Sequence, residues 1–494
     1  MAQTKSLLKD SVIYGGSSIL QKMMTWLMTT LLTNTLSPTE FGIFNHVYAY
    51  AVLMLVLLTF GLETGCFRFA NQKDKYNPST VFSTALMMVM AFTAVFLFIF
   101  LFFLPDIRPY VWKDLIPSTY LRLLFVFVSM DVVSAIPFAY LRYKKRPIKF
   151  AALKILNVVL YVLFCIFFLV VCPWLQTHYP ALVTWYDKSF NVGYVLIANL
   201  LATGIETACL LPEFISIRFR FDRQTAKKLF VYSFPLMLMG VAGMSNLVAD
   251  KIIYPFIPKT NISELGIYSA CFKIAQIMMM FTQAFRYAYD PFVFEKSNDA
   301  KAKEHYSKIM TWFVICGLLI FLVVTFYLDI IKYFIGPDFW SGLDIVPLIL
   351  LGELFFAIYY NLSLWYKLTD KTYWGTTLAI ITCLLVVVIN IVFVPIYSYR
   401  ACAWAALIAN GVTMLLSYFL GQKYYPIHYN LKTIGFYFAL AAALYAISRL
   451  AAIENVYQHM AFNTLLLAVY AGVLVKRDMP LKDIPVINRI FAKK

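Results

Sequence analysis

The chain has 494 residues, of which 62% are hydrophobic and 14% charged, and its mean hydropathy is +0.74. A soluble domain is closer to half apolar and a quarter charged, so the composition excludes an ordinary soluble protein. Apolar runs such as 81–104, 151–171 and 378–394 are long enough to cross a hydrocarbon layer of about 30 Å. The sequence therefore predicts a polytopic, all-α membrane protein.

Hydropathy predicts about fourteen transmembrane spans. The first span follows Lys5 and Lys9 and lacks a small-residue cleavage pattern, so we expect it to be retained rather than removed as a signal peptide. The predicted spans are 11–34, 41–66, 80–104, 117–141, 150–172, 191–213, 229–250, 264–290, 308–328, 343–366, 374–396, 401–422, 432–449 and 458–475.

Span 1 carries a stripe of polar and small side chains within an arc of about 80°, at 100° per residue. Lys22 lies midway along the span, where an ammonium group costs about 2.5–3.5 kcal/mol unless it faces water or a partner. The pattern favours a Lys22 that faces a lumen and binds substrate, with a structural ion pair as the alternative. The stripe consists of Ser11, Gly15, Ser18, Lys22, Thr25, Thr29 and Thr33.

Span 2 ends with an acid close to a base. Glu63 lies between Gly61 and Gly65, and Arg68 follows on the side of the basic loops. Glu63 could titrate during transport or could neutralise Arg68, and both interpretations stay open.

Ionisable residues also interrupt later spans. Asp131 and Glu206 are weaker transport candidates, because spans 4 and 6 need not line a lumen. Lys154 lies one turn inside a basic loop, and we expect its ammonium group to reach the interface. Asp250 precedes Lys251 at the end of span 7 and could act in coupling or form an interfacial ion pair.

Span 8 carries a second polar stripe, which includes Lys273, Arg286 and Asp290. Arg286 and Asp290 are spaced i, i+4 and could pair with each other. Arg286, as a planar fork, and Lys273, as a point charge, are otherwise suited to bind phosphate oxygens. Glu63, Asp250 and Asp290 are the candidate coupling residues.

The net charge of +17 is distributed unequally about these spans. Of the 42 Lys and Arg residues, 29 lie on the side shared by both termini, 8 on the opposite side and 5 within spans. The positive-inside rule therefore predicts that both termini are cytoplasmic. Anionic headgroups of the bilayer, and no nucleic acid, are the expected partners of this charge.

A weak internal repeat divides the chain. Residues 40–44 (EFGIF) recur as 264–268 (ELGIY), and 196–199 (LIAN) recur as 407–410 (LIAN). A lobe of six helices returns the chain to the side of the membrane on which it began. Two such lobes would therefore insert in the same direction and be related by an axis along the membrane normal. We predict an N-lobe at 1–222, a C-lobe at 223–424, and two further helices with a tail at 425–494.

The helix number, the repeat and the segment 36–43 (LSPTEFGI) resemble one known group over essentially the whole chain. The pattern L-x-P-x-E-F/Y-G is similar to that of the polysaccharide transporter branch of the multidrug/oligosaccharidyl-lipid/polysaccharide exporter superfamily, which includes O-antigen flippases.

This resemblance implies a V-shaped pair of six-helix bundles around a central cavity lined by spans 1, 2, 7 and 8. It also implies transfer of an undecaprenyl-pyrophosphate-linked oligosaccharide from the cytoplasmic to the periplasmic leaflet of a bacterial inner membrane, by a monomer. Lys22, Arg68, Lys273 and Arg286 would contact the phosphate or an acidic sugar. A proton or sodium gradient and substrate consumption are both open as driving forces.

Three other functions are compatible with a membrane protein of this size: a lipid II flippase, a drug antiporter, and a glycan polymerase or transferase. A lipid II flippase shares the fourteen-helix plan, whereas drug antiporters of the superfamily typically have twelve helices and an acidic cavity. A glycan polymerase or transferase usually carries a large periplasmic loop, and the longest such loop here, at 173–190, has few ionisable residues. Without a P-loop or a metal-binding motif, neither enzyme activity nor a cofactor is predicted.

Overall fold

The structure is a computed structural model that describes residues 2–72, 74–112, 115–217, 219–296, 299, 301–369, 371–451 and 453–478. Within these ranges the side chains of residues 2–14, 18, 288, 291 and 294–296 lie outside the description.

Helices make up all the regular secondary structure of the described residues, as the sequence predicted. Short 3-10 segments and one π-helical segment, Phe167–Val171, connect some of the α-helices. The α-helices are α1 Ala2–Thr35, α2 Pro38–Thr59, α3 Leu62–Ala70, α4 Pro78–Phe102, α5 Leu104–Val111, α6 Ser118–Tyr143, α7 Pro147–Ile166, α8 Cys172–His178, α9 Asn191–Cys209, α10 Leu211–Ser216, α11 Arg223–Ile253, α12 Ile262–Lys296, α13 Ala302–Phe326, α14 Leu328–Ile331, α15 Val346–Leu362, α16 Leu364–Leu368, α17 Tyr373–Tyr397, α18 Arg400–Tyr424, α19 Leu431–Leu450 and α20 Val456–Arg477.

Thirteen helical segments of the described residues are long and apolar enough to cross a membrane. They correspond one for one to predicted spans 2–14. The first predicted span, 11–34, lies within the 34-residue helix α1, part of whose side chains are not described. The protein is therefore a multi-pass, all-α membrane protein.

Several predicted spans are interrupted in the structure, among them spans 2 and 10. Span 2 changes direction at Phe60 and Gly61, whose φ angles of 54° and 66° lie in the left-handed region. Span 10 is interrupted at Ser363, between α15 and α16. Breaks at membrane depth are tolerated where neighbouring groups satisfy the backbone, and the hydroxyl of Ser233 in α11 donates to the Gly61 carbonyl at 3.4 Å.

The chain divides into two compact units, Met1–Ala270 with Ala379–Cys402, and Cys271–Leu378 with Ala403–Lys494. In the first unit α7 packs against α1 and α9, α6 packs against α2, α4 and α9, and α11 packs against α2 and α3. In the second unit α13 packs against α15, α19 and α20. The predicted lobe boundaries, after 222 and after 424, stay a prediction.

Candidate substrate-binding site

A basic cavity of about 800 Å³ lies between α3 and the beginning of α11, within the first unit. Its volume is in the range of small-molecule binding sites. Cationic side chains line one part of it, and apolar and aromatic side chains line the rest. The lining residues are Arg68, Phe69, Lys227, Lys228, Val231, Tyr232, Pro235 and Leu236.

Close packing of α3 on α11 positions these cations. Gly65 faces α11, where an added Cβ would lie 2.8 Å from a serine hydroxyl oxygen, so a larger residue would separate the helices. About one turn later, the guanidinium carbon of Arg68 lies 4.3 Å from the ring centroid of Tyr232. Lys228 Nζ lies 5.0 Å from the ring centroid of Tyr76. Aromatic faces attract both cations and leave their N–H donors available.

The cavity retains its positive charge. Within the part of the chain that the structure describes, no carboxylate pairs with Arg68, Lys227 or Lys228. Asp222, the N-cap of α11, is bound by the hydroxyl and the backbone N–H of Thr225, and these hydrogen bonds lower its pKa. An arginine fork with two lysines, next to an apolar wall, suits a phosphate group carried on a lipid.

Sequence reasoning found only part of this cavity. Arg68 was a candidate, but Lys227 and Lys228 had been counted only as charge on the basic side, and Tyr232 had no assigned role. No local pattern identifies these residues, because the cavity exists only where α3 packs on α11. Arg68 and Phe69 directly follow predicted span 2, and the lining residues from Val231 to Leu236 lie in predicted span 7. Both spans are among the four that the resemblance implied.

Glu63 forms an ion pair with Arg142 of α6, at 2.5 Å between carboxylate oxygen and guanidinium nitrogen. The partner of Glu63 is therefore Arg142 rather than Arg68, which had been the alternative to titration. Both side chains of the pair are 37% exposed. The rest of the protein thus covers the pair only in part, and a coupling role for Glu63 stays a prediction.

Asp250 lies in a buried polar cluster at the other end of α11. The hydroxyl of Tyr268 donates to Asp250 Oδ2 at 2.6 Å, and Lys251 Nζ lies 3.3 Å from Oδ1. The predicted pair with Lys251 is thus present, together with a phenol that the sequence did not suggest. Nearby, His46 Nδ1 lies 2.7 Å from the backbone carbonyl oxygen of Lys251, which links α2 to α11.

The two copies of the internal repeat contact each other in the first unit. An added Cβ at Gly42 would lie 2.0 Å from the Ile262 carbonyl oxygen, and one at Gly266 would lie 1.9 Å from the Pro38 carbonyl oxygen. Each residue of the first contact is 224 positions from its counterpart in the second, which is the offset of the repeat. The beginnings of α2 and α12 are therefore related by an approximate two-fold axis.

The residues of the stripe on α1 lie in different environments. Lys22 and Thr25 are exposed, whereas Thr29 and Thr33 are buried, with relative exposures of 2% and 3%. Thr33 donates its hydroxyl to the Thr29 carbonyl at 2.8 Å. The side chains of Ser11 and Ser18 lie outside the described residues. A lumen along the whole stripe is thus not supported, and binding by Lys22 stays a prediction.

The candidates on α12 belong to the second unit, where Lys273 is half-buried. Arg286 and Asp290 do not form the i, i+4 ion pair that was one alternative. Instead, Tyr360 donates its hydroxyl to Asp290 Oδ2 at 2.9 Å, and the Arg286 guanidinium carbon lies 3.7 Å from the Tyr360 ring centroid. The structure thus brings Arg286 and Asp290 together around a tyrosine that the sequence analysis had not identified.

Lys154 does not extend to the interface, and that expectation is wrong. Its Nζ lies 3.1 Å from Oε1 of Glu206, whose side chain is buried, and 3.8 Å from the ring centroid of Phe138. Asn157 donates to the other carboxylate oxygen of Glu206 at 3.3 Å. A buried carboxylate competes successfully with the interface, because it would otherwise be an unpaired charge inside the membrane.

The described residues include no group of three or more His, Cys, Asp or Glu side chains that could hold a metal ion.

Two solved membrane transporter structures share the fold of this chain. The structure of the lipid II flippase MurJ in an inward closed conformation matches with a TM-score of 0.72 and 13% identity, covering 94% of this chain and 99% of that one. An inward-facing multidrug resistance MATE family transporter matches with a TM-score of 0.64 and 13% identity, covering 82% and 94%. At this identity the likenesses show the fold alone.

The fold is thus that of the lipid II flippase MurJ and of the MATE family transporter. The sequence profile of the family described as polysaccharide biosynthesis protein matches residues 7–288. The chain belongs to this family, which confirms the group predicted from the segment 36–43 and the repeat. No individual curated protein sequence matches the chain significantly.

Proposed function

We propose that this protein is a flippase for an undecaprenyl-pyrophosphate-linked oligosaccharide, such as an O-antigen unit or another surface polysaccharide repeat unit. It would move this substrate by alternating access from the cytoplasmic to the periplasmic leaflet of a bacterial inner membrane. The observation that carries the proposal is the cavity with Arg68, Lys227 and Lys228 on one side and an apolar wall on the other. A lipid diphosphate has an anionic diphosphate group, which matches the cationic side, and an apolar chain, which matches the apolar wall.

The location of the cavity supports this direction of transport. Arg68 lies near the end of α3 and Lys227 near the beginning of α11, so both lie towards the strongly basic side of the chain. On that side the positive-inside rule places the cytoplasm, where the lipid-linked oligosaccharide would enter. Both termini would then be cytoplasmic.

The remaining candidates complete the proposal. Lys22, Lys273 and Arg286 would contact phosphate or an acidic sugar along the transport path. Glu63, Asp250 and Asp290 would be the residues through which a proton or sodium gradient acts, unless substrate consumption alone drives transport. The working unit would be a monomer.

Lipid II is the main alternative substrate, because the likeness to the MurJ lipid II flippase extends over nearly the whole chain. Both lipids carry a polyprenyl diphosphate, so the basic cavity does not separate them. Export of surface polysaccharide and synthesis of peptidoglycan, measured in a strain depleted of this protein, would do so. We expect loss of the polysaccharide with intact peptidoglycan.

The cavity itself is tested with the triple variant Arg68→Ala, Lys227→Ala and Lys228→Ala. We expect binding of a prenyl diphosphate to the purified protein to weaken at least tenfold, because hydrogen bonds to charged groups contribute about 1.5–3 kcal/mol each. Lys432→Ala, an exposed lysine outside the cavity, is the matched control and should bind normally. Equal affinity of the triple variant and the parent protein would refute the cavity as the site.

A further inference from the structure

Two cations in the second unit flank one tyrosine. Tyr360 lies near the end of α15, Lys367 follows the break at Ser363, and Arg286 lies on α12. The Arg286 guanidinium carbon is 3.7 Å from the Tyr360 ring centroid, and Lys367 Nζ is 4.1 Å from it. All three side chains are half-buried. The aromatic ring thus holds two positive charges close together, which would otherwise repel each other.

The nearest acid leaves both cations available. Asp290 accepts a hydrogen bond from the Tyr360 hydroxyl at 2.9 Å. Within the described chain neither Arg286 nor Lys367 has a carboxylate oxygen within the 4.0 Å of an ion pair. The cluster therefore has two positive charges and one negative charge, and the negative charge is held by the phenol.

The hydrogen bond from Tyr360 determines whether Asp290 can pair with Arg286. Asp290 and Arg286 are spaced i, i+4 on α12, a spacing at which opposite charges usually pair. In the structure Tyr360 holds the carboxylate and this pair does not form, so the guanidinium N–H groups that do not meet the Tyr360 hydroxyl stay available to a ligand. Without the phenol hydroxyl, Asp290 would be free to turn towards Arg286 and neutralise it.

We propose that Arg286 and Lys367 form a second oxyanion site, which takes a phosphate group borne by a lipid. Arg286 offers a planar fork of donors and Lys367 a point charge, a combination suited to phosphate. Tyr360 is a positioning residue that keeps Asp290 away from Arg286. The identity of this lipid as a transport substrate rests on the function proposed above, whereas the binding of the phosphate does not.

The test measures binding of farnesyl diphosphate to the purified full-length protein, with farnesol as the probe that lacks phosphate. Arg286→Ala and Lys367→Ala should each weaken binding of the diphosphate about tenfold or more and leave farnesol unaffected. Asp290→Asn should strengthen it severalfold, because the variant removes a negative charge beside the site. A misfolded protein would not produce this gain.

Tyr360 is tested by rescue. Tyr360→Phe keeps the ring but releases Asp290, so binding of farnesyl diphosphate should weaken several-fold. Adding Asp290→Asn to Tyr360→Phe should restore it to at least the parent affinity. Tyr359→Phe, the same change one residue earlier, is the control and should bind like the parent protein. Failure of the rescue, or an equal loss for farnesol, would overturn the proposal.

Two further comparisons identify the source of the phosphate and separate this proposal from the previous one. If vesicles of phosphatidylglycerol compete with farnesyl diphosphate in the parent protein but not in Lys367→Ala, the site also takes bilayer phosphate, which supports the proposal. Binding of farnesyl diphosphate could be weakened by substitution of Arg68, Lys227 and Lys228 but not by substitution of Arg286 or Lys367. This result would overturn the second site and leave the proposed function intact. The reverse result would overturn the first cavity alone.

Discussion

At the scale of single residues, the structure separates charges that have partners from charges that remain available. Glu206 pairs with Lys154, and Glu63 pairs with Arg142. By contrast, no described carboxylate neutralises Arg68. The sequence identified most of these charges but could not pair them, because the partners lie on different helices. A charge within a span therefore indicates a site only after its neighbours are known.

The pair of Lys154 and Glu206 gives a prediction about stability. Glu206→Ala leaves the Lys154 ammonium without its carboxylate inside the bundle, and removal of one partner of a buried pair typically costs about 3–5 kcal/mol. We expect a clearly lower thermal unfolding temperature in detergent. The double variant Glu206→Ala and Lys154→Met should recover most of the loss, because it also removes the ammonium group that the single variant leaves without its partner. Equal destabilisation by the single and double variants would contradict this account.

At the scale of helices, the internal repeat has a structural meaning. The sequence predicted two related segments at 40–44 and 264–268 from their letters alone. In the structure both segments open a helix, and in each a glutamate, Glu40 or Glu264, hydrogen-bonds back to the N-cap backbone. The glycines of the two segments let the helices approach closely. The repeat was predictable, but the contact was not, because similarity between two segments does not say that they touch.

This glycine contact predicts a position-dependent effect of added methyl groups. Gly42→Ala would place a Cβ 2.0 Å from the Ile262 carbonyl oxygen, so α2 and α12 would have to separate. We expect a loss of about 1–3 kcal/mol in unfolding free energy, as for other overpacked contacts. Gly243→Ala, which has nothing within 4 Å of the added Cβ, should be neutral or stabilising.

Gly266→Ala should resemble Gly42→Ala, since the two contacts are related by the repeat. The double variant should lose less than the sum of the single variants, because one separation of the helices relieves both clashes. Thermal unfolding of the parent protein, the two single variants and the double variant measures these losses of stability directly. Strict additivity of the two substitutions would show that the glycines act in independent contacts.

At the scale of the whole molecule, hydropathy was enough to predict an all-α membrane protein and the positions of its spans. Thirteen of the predicted spans correspond to helices of membrane-crossing length, because a bilayer imposes one length on every span. The break at Phe60 and Gly61 was not predicted, since both sides of it are apolar and helical. Lys227, Lys228 and Tyr360 were also missed as site residues, because only the packing of distant helices gives them a role.

The inequality of charge between the two sides predicts an orientation that can be measured. Lys144→Cys lies in a basic loop and Ser189→Cys in a loop on the opposite side, and both positions are exposed. Cys209, Cys316 and Cys383 are the native cysteines that are not buried, and they are first replaced by alanine. A membrane-impermeant maleimide added to intact spheroplasts should then label Ser189→Cys alone. Labelling of Lys144→Cys instead would reverse the assigned direction.

The most direct measurement is transfer of a fluorescent undecaprenyl-pyrophosphate-linked oligosaccharide between leaflets of proteoliposomes that contain the purified protein. We expect faster transfer than in protein-free liposomes, little acceleration with the triple variant of Arg68, Lys227 and Lys228, and full acceleration with Lys432→Ala. Transfer at the protein-free rate by the parent protein, with and without imposed proton or sodium gradients, would contradict the assignment as a flippase.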